Sequence, residues 1–134
     1  MNSSSVLDAS ALLAYLFDES GAEVVESAIN GGASISLVNW AEVLTKYSEQ
    51  GGDPQDVPAD LRSRRILGRR LRLVPMLRQD AMSIAQLRPL TRAWGLSLGD
   101  RACLALGLRL QLPVLTAERN WPQLDLGVRV QVIR

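Results

Sequence analysis

The chain contains no histidine, a single cysteine and a single lysine. Without histidine there is no Ser-His-Asp triad, no histidine metal site and no imidazole acid–base chemistry. Cys103 has no partner for an internal disulfide, and its neighbours Ala102, Leu104, Ala105 and Leu106 mark it as a packing residue. No apolar run reaches the ~18 residues needed to span a bilayer. The opening MNSSSVLDAS has neither a basic segment nor a long apolar core, so it does not read as a signal peptide, and a cytoplasmic location is expected. Any catalysis must therefore run on carboxylates, hydroxyls, arginines and a metal.

What is present suits one globular domain. The 134 residues are 47% hydrophobic and 22% charged, enough for a single well-filled core. The net charge is only +1, yet it is unevenly placed. Residues 1–60 hold ten acids and one base, Lys46, whereas residues 61–110 hold eleven arginines and two acids, Asp80 and Asp100. Seven of those arginines fall within residues 62–78. Such a segment fits either a polyanion or an acidic partner, or else a solvated helix face paired with the acidic half of the same fold.

Strand and helix patterns alternate along the chain. A short strand over 4–7 leads to a helix over about 10–17, with Leu12, Leu13, Leu16 and Phe17 at helical spacing. A second helix over about 22–30 is stopped by Gly31-Gly32. ASISLV reads as a strand, and Asn39 is expected to start a helix that Gly51-Gly52-Asp53-Pro54 ends. Residues 55–69 suggest an arginine-bearing helix, LRLVP a strand, and 79–94 a helix that Pro89 must kink or divide. The helix from Ser97 to about Leu108 is apolar on most sides and is expected to be central and buried. LPVLT then reads as a strand, ERNWPQL as a turn or short helix, and VRVQVI as a last strand. This order implies an α/β fold: one mainly parallel twisted sheet of about five strands with helices on both faces. Trp40 and Trp94 are expected in the core or a subunit interface, and Trp121 packed in its loop.

Four carboxylates stand at strand-to-helix junctions: Asp8 in SVLDAS, Glu42 in SLVNWAEVL, Asp100 in LSLGDRACLALG and Glu118 in VLTAERNW. Each has a structural explanation. Asp8 suits a helix N-cap, Asn39/Glu42 and Ser97/Asp100 have capping-box spacing, and Glu118 suits a first helical turn. Together, however, they belong at the carboxyl edge of a parallel sheet, where functional groups gather. Converging carboxylates repel and raise one another's pKa, and a cation relieves that repulsion. Oxygen-only ligands favour Mg²⁺ or Mn²⁺, whose natural chemistry is phosphodiester hydrolysis.

These four segments, in this order and along nearly the whole chain, resemble the PIN-domain ribonucleases, and within them the toxins of VapBC-type toxin–antitoxin pairs. The resemblance implies a PIN-like domain over residues 1–134. It makes Asp8, Glu42 and Asp100 metal-binding catalytic residues, with Ser10 and Thr116 as hydroxyls orienting carboxylates or water. Glu118 departs from the aspartate usual in the family, and its extra methylene lengthens the reach by ~1.5 Å; Asp125 is a possible substitute. The resemblance further implies a homodimer, a small VapB-like antitoxin and structured RNA substrates, transfer RNA among them. Arg62, Arg64, Arg65, Arg69 and Arg70 would then hold the RNA backbone beside the acidic centre. Two other readings remain: a PIN-like module that binds RNA or protein without cleaving it, and a phosphoacceptor receiver domain. The receiver needs a lysine near its last strand, and Lys46 is far from there.

Overall fold

The computed structural model describes residues 4–121 and 125–134. Its strands are β1 (Ser5–Leu7), β2 (Ala33–Ser36), β3 (Leu71–Val74), β4 (Val114–Thr116) and β5 (Val130–Val132). Its helices are α1 (Ala9–Leu16), α2 (Ala22–Asn30), α3 (Leu37–Glu49), α4 (Asp56–Ser63), α5 (Arg78–Thr91) and α6 (Leu98–Leu110), with a 3₁₀ turn at Arg92–Trp94. The five strands form one sheet in the order β3-β2-β1-β4-β5, and every pairing is parallel. The expected α/β architecture is therefore present. Among the described residues no helix is long and apolar enough to cross a membrane.

Side chains alternate across a strand, so neighbours along β1 and β4 face opposite layers. Leu7 and Leu115 pack with Leu12 of α1, Ile29 of α2, Val43 of α3 and Leu61 of α4. Val6 and Val114 pack instead with Leu87 of α5, Leu104 and Leu106 of α6, and Trp121. Two hydrophobic layers thus sandwich the sheet, and strands buried on both faces explain the continuous apolar runs in the sequence. In α6, residues 102–107 are all buried, which is why its pattern is apolar nearly all round.

Three boundaries differ from the sequence expectation. β2 ends at Ser36, whose Oγ accepts from Asn39 N at 3.0 Å and caps α3. Leu37 and Val38 thus belong to the helix, not the strand, because a strong cap overrides their strand-like character. The arginine-bearing helix is shorter than expected: α4 stops at Ser63, and Arg65 turns left-handed at φ 59°. Pro89 neither divides nor ends α5, which continues to Thr91 before tightening into the 3₁₀ turn that Gly95 closes at φ 68°. Trp40 and Trp121 are buried, whereas Trp94 is 42% exposed. The ERNWPQL segment is described only as far as Trp121; Pro122, Gln123 and Leu124 lie outside the described residues.

Gly107 lets α6 lie close to the sheet, because a Cβ there would sit 2.6 Å from Val114 Cγ2 and 3.0 Å from Val128 Cγ2. Alanine favours a helix interior over glycine by ~1 kcal/mol. The contact should reverse that sign. Gly107→Ala is expected to destabilise the protein by about 1–3 kcal/mol in urea unfolding. A gain in stability would show that α6 is not held this tightly.

Candidate active site

The order of the strands reverses at β1, which lies between β2 and β4, and such a reversal opens a crevice at the carboxyl edge of an α/β sheet. Leu7 is in register with Ile35 on one side and Leu115 on the other, so Asp8, Ser36 and Thr116 emerge at one level. Asp8 is the N-cap of α1, its Oδ1 accepting from Ala11 N at 2.8 Å and from Ser10 Oγ at 2.7 Å. Its Oδ2 accepts from Thr116 Oγ1 at 2.5 Å. The same hydroxyls are tied to the loop after β4: Ala117 N donates to Ser10 Oγ and Glu118 N to Thr116 Oγ1. Ser10 and Thr116 thus orient the Asp8 carboxylate and join the two strands that flank the crevice.

Asp8 is 3% exposed. Burial pushes its carboxyl up to about 6, opposed by the bonds from Thr116, Ala11 and Ser10 and reinforced by the charge of Asp100. Asp100 reaches this neighbourhood from the first turn of α6. There it forms a capping box: Ser97 N donates to Asp100 Oδ2 at 2.8 Å, and Asp100 N donates to Ser97 Oγ at 3.1 Å.

Glu42 comes from the second turn of α3, where Asn39 Nδ2 donates to its Oε1 at 2.7 Å. The same Nδ2 donates to Gly99 O at 2.9 Å, and Asn39 Oδ1 accepts from Ser36 Oγ at 2.6 Å. One buried amide therefore ties the end of β2, the acid of α3 and the start of α6. Gly99 leaves room for the acid, since a Cβ there would lie 2.4 Å from Glu42 Oε1. Neither Asn39 as the holder of Glu42 nor Gly99 as its space is singled out by the sequence reading. The available signals were the Ser36-Asn39-Glu42 spacing, three residues at each step, and a glycine inside a first helical turn. The Asn39/Glu42 capping box is corrected: Ser36 is the cap, because it is the residue whose hydroxyl accepts from the helix amide.

Three acids act on one point. Burial pushes the Cys103 thiol well above its ordinary range, and Asp8, Asp100 and Glu42 add their charges to that effect. Yet each carboxylate is held by its own protein donors, and among the described residues no three acids close into a finished metal cage. The Glu118 amide is at the site, while the residue itself is exposed and its carboxylate has no hydrogen bond or ion pair among the described residues. Asp125 is also exposed.

The arginines are not beside this centre. Arg64, Arg65, Arg69, Arg70 and Arg72 surround a separate cavity. Arg70 O accepts from Ala33 N at the start of β2, which places the cluster at the amino edge of the sheet, opposite the acids. Arg62 lies in the last turn of α4, which leads to the same edge. The chain enters β3 from this side, so basic residues preceding β3 cannot reach the carboxyl edge.

Parallel strands, a switch point at β1 and the carboxylates of Asp8, Glu42 and Asp100 around it define an α/β protein with acids at the carboxyl edge of its sheet. Residues 5–126 match the PIN domain, and the chain belongs to that family. No curated protein matches the chain in sequence. Among solved structures it is similar to a toxin–antitoxin complex from Klebsiella pneumoniae, at 19% identity and TM-score 0.70 over 98% of each chain. It is also similar to DNA-bound VapBC from Salmonella typhimurium, at 16% identity and TM-score 0.68 over 97% of this chain and 98% of the other. FitAcB from Neisseria gonorrhoeae aligns at 18% identity and TM-score 0.68 over 96% and 97%. At such identities these likenesses show the fold.

Two outcomes check the geometry. The folded pKa of Asp8, about 6, lies above the ~3.9 of an unfolded aspartate, so folding favours the neutral acid. Its contribution is fully present below about pH 4 and is lost as pH rises through 6, a swing of about 3 kcal/mol. In EDTA, wild type should gain that much over Asp8→Asn between pH 7 and pH 4 in urea unfolding; a pH-independent difference would show Asp8 to be solvated. Gly99→Ala should displace Glu42 and weaken divalent-cation binding about tenfold or more by calorimetry, while changing stability by less than about 1 kcal/mol. Unchanged binding would separate Glu42 from the site.

Proposed function

We propose that this protein is an endoribonuclease that depends on Mg²⁺ or Mn²⁺ and acts as the toxin of a toxin–antitoxin pair. The observation that carries the reading is a PIN-domain sheet with Asp8 buried at its switch point and with Glu42 and Asp100 near enough for all three charges to bear on the buried Cys103. Their chemistry fits a hard cation: the donors are all oxygen, and Asp8 carries a burial cost that a cation would offset. Asp8, Glu42 and Asp100 would hold the metal, with Glu118 as the fourth acid from the loop after β4. Bound there, the ion would lower the pKa of a water and stabilise charge on a phosphate.

The chain's own part is orientation. Ser10 and Thr116 aim the Asp8 oxygens: Oδ1 takes two protein donors, whereas Oδ2 takes one and keeps a lone pair for a further partner. Asn39 holds Glu42 toward Gly99, and the amide of Ser97 holds one oxygen of Asp100. Tight donors of this kind fix ligands within the small tolerance that catalysis needs. The antitoxin and a second copy of the chain complete the reading. The similar Klebsiella pneumoniae structure is a toxin–antitoxin complex, and Leu90 and Leu98, 57% and 61% exposed, flank the connection from α5 to α6 that also bears Trp94. A second reading, a PIN-like module that binds without cutting, is favoured by the exposed Glu118 and the separately held acids.

Purified protein should cut bulk cellular RNA, including transfer RNA, into discrete fragments with Mg²⁺ or Mn²⁺, and EDTA should stop it. Asp100→Asn should lower the rate about 100-fold or more while costing about 1 kcal/mol of stability, the worth of a disturbed capping box. Stability loss without rate loss would leave Asp100 as a cap alone. Glu118→Asp should keep or raise the rate if that carboxylate reaches the metal. Metal binding with every RNA left intact would favour the binding module.

A further inference from the structure

The chain between α4 and β3 reverses in a few residues. Arg65 adopts φ 59° and Gly68 φ 82°, and the backbone enters β3 at Leu71. This turn sets Arg64, Arg65, Arg69, Arg70 and Arg72 around an open cavity of about 710 Å³, with Gly68 the sixth lining residue. Two of the five guanidiniums are fixed. Arg70 donates through Nη1 to Asn30 Oδ1, through Nη2 to Arg64 O at 3.0 Å and through Nε to Arg65 O at 3.4 Å. Arg64 pairs with Asp60 at 3.2 Å, donates to the Tyr15 hydroxyl at 3.3 Å and lies 5.9 Å over the Tyr15 ring. The guanidiniums of Arg65, Arg69 and Arg72 make no hydrogen bond or ion pair among the described residues.

The simplest account of an arginine-rich segment is neutralisation by the acidic half of the same fold. That account fails here, because Asp60 is the one carboxylate paired with any of the five among the described residues. About four positive charges are left facing one cavity whose walls are pinned by backbone carbonyls. Planar guanidiniums match phosphate oxygens two at a time, and like charges held this close favour an anion between them. An acidic protein segment is the weaker fit. Protein interfaces anchor on buried aromatic or aliphatic side chains, and this lining is arginine and glycine alone.

We propose that this cavity binds phosphate groups of an RNA backbone, at a remove from the carboxylates; the proposal rests on the nuclease reading and specifies how the substrate is held. The two sites occupy opposite ends of β2. Arg70 meets Ala33, and Ser36, three residues on, opens the helix that carries Glu42. That is roughly 10 Å of strand. At ~2.8 Å of rise per step in an A-form duplex, RNA touching both sites covers about four steps or more. Separation also has an electrostatic purpose. Arginines beside the acids would pair with them and compete with a cation, whereas arginines at the far edge attract the polyanion without filling the acidic crevice.

The test is fluorescence anisotropy of a labelled hairpin RNA in EDTA, with wild type and the triple variant Arg65→Ala, Arg69→Ala, Arg72→Ala. The triple variant should bind at least about tenfold more weakly, and its slope of log affinity against log salt should fall by about 2, three contacts at ~0.7–0.9 each. Unchanged affinity and slope would overturn the proposal. If the triple variant does not fold by circular dichroism, the single Arg69→Glu variant should still lose affinity, and no loss there overturns it equally. Poly-glutamate displacing the RNA at equal charge would assign the cavity to an acidic protein segment. Pyrophosphate displacing it at micromolar concentration would assign a free small anion. Arginine-dependent binding without any cleavage keeps this site and sinks the nuclease reading; metal-dependent cleavage with binding unchanged in the triple variant does the reverse.

Discussion

Everything at the carboxyl edge depends on one buried carboxylate. Asp8 caps α1, accepts from Thr116 at the end of β4, and shares Ser10 with the backbone after β4. These bonds join the two strands at the switch point, so they fix how the ends of β1 and β4 sit together. They also hold an acid in a place that burial disfavours, which lifts its pKa toward neutrality. Such a group is retained at a cost to stability. Perturbed carboxylates of this kind cluster where a fold does chemistry.

Capping and chemistry are not competing explanations of these acids. Asp8 and Asp100 both accept from helix-start amides, and both belong to the group of charges that converge on Cys103. A helix N-terminus offers oriented N–H groups and a favourable dipole, so it fixes a carboxylate while leaving lone pairs for a further partner. Glu42 lacks this option because it lies in the second turn of α3. Asn39 supplies the missing donor, and Gly99 supplies the space. The site therefore uses one device twice and a different device once.

Local patterning made the strands, the buried α6 and the four acidic segments legible in the sequence, because each rests on period or on residue type at a junction. The start of α3 was not legible. Leu37 and Val38 look like strand residues, and only the capping bond at Ser36 decides otherwise. Asn39 and Gly99 were missed for another reason. Their roles are defined by a contact between α3 and α6, sixty residues apart, that no local pattern encodes. The edge of the sheet at which Arg65 and Arg69 lie is hidden in the same way. Their charge is plain in the sequence, but their edge of the sheet follows from which end of β3 they precede.

Charge segregation along the chain thus becomes segregation in space. The sheet is parallel, so the residues before a strand and those after it are separated by the strand's length. Asp8 and Glu42, which follow β1 and β2, lie at one edge with Asp100 from the start of α6, and the arginines just before and at the start of β3 collect at the other. A near-neutral total of +1 conceals two opposed fields, one suited to a hard cation and one to a polyanion.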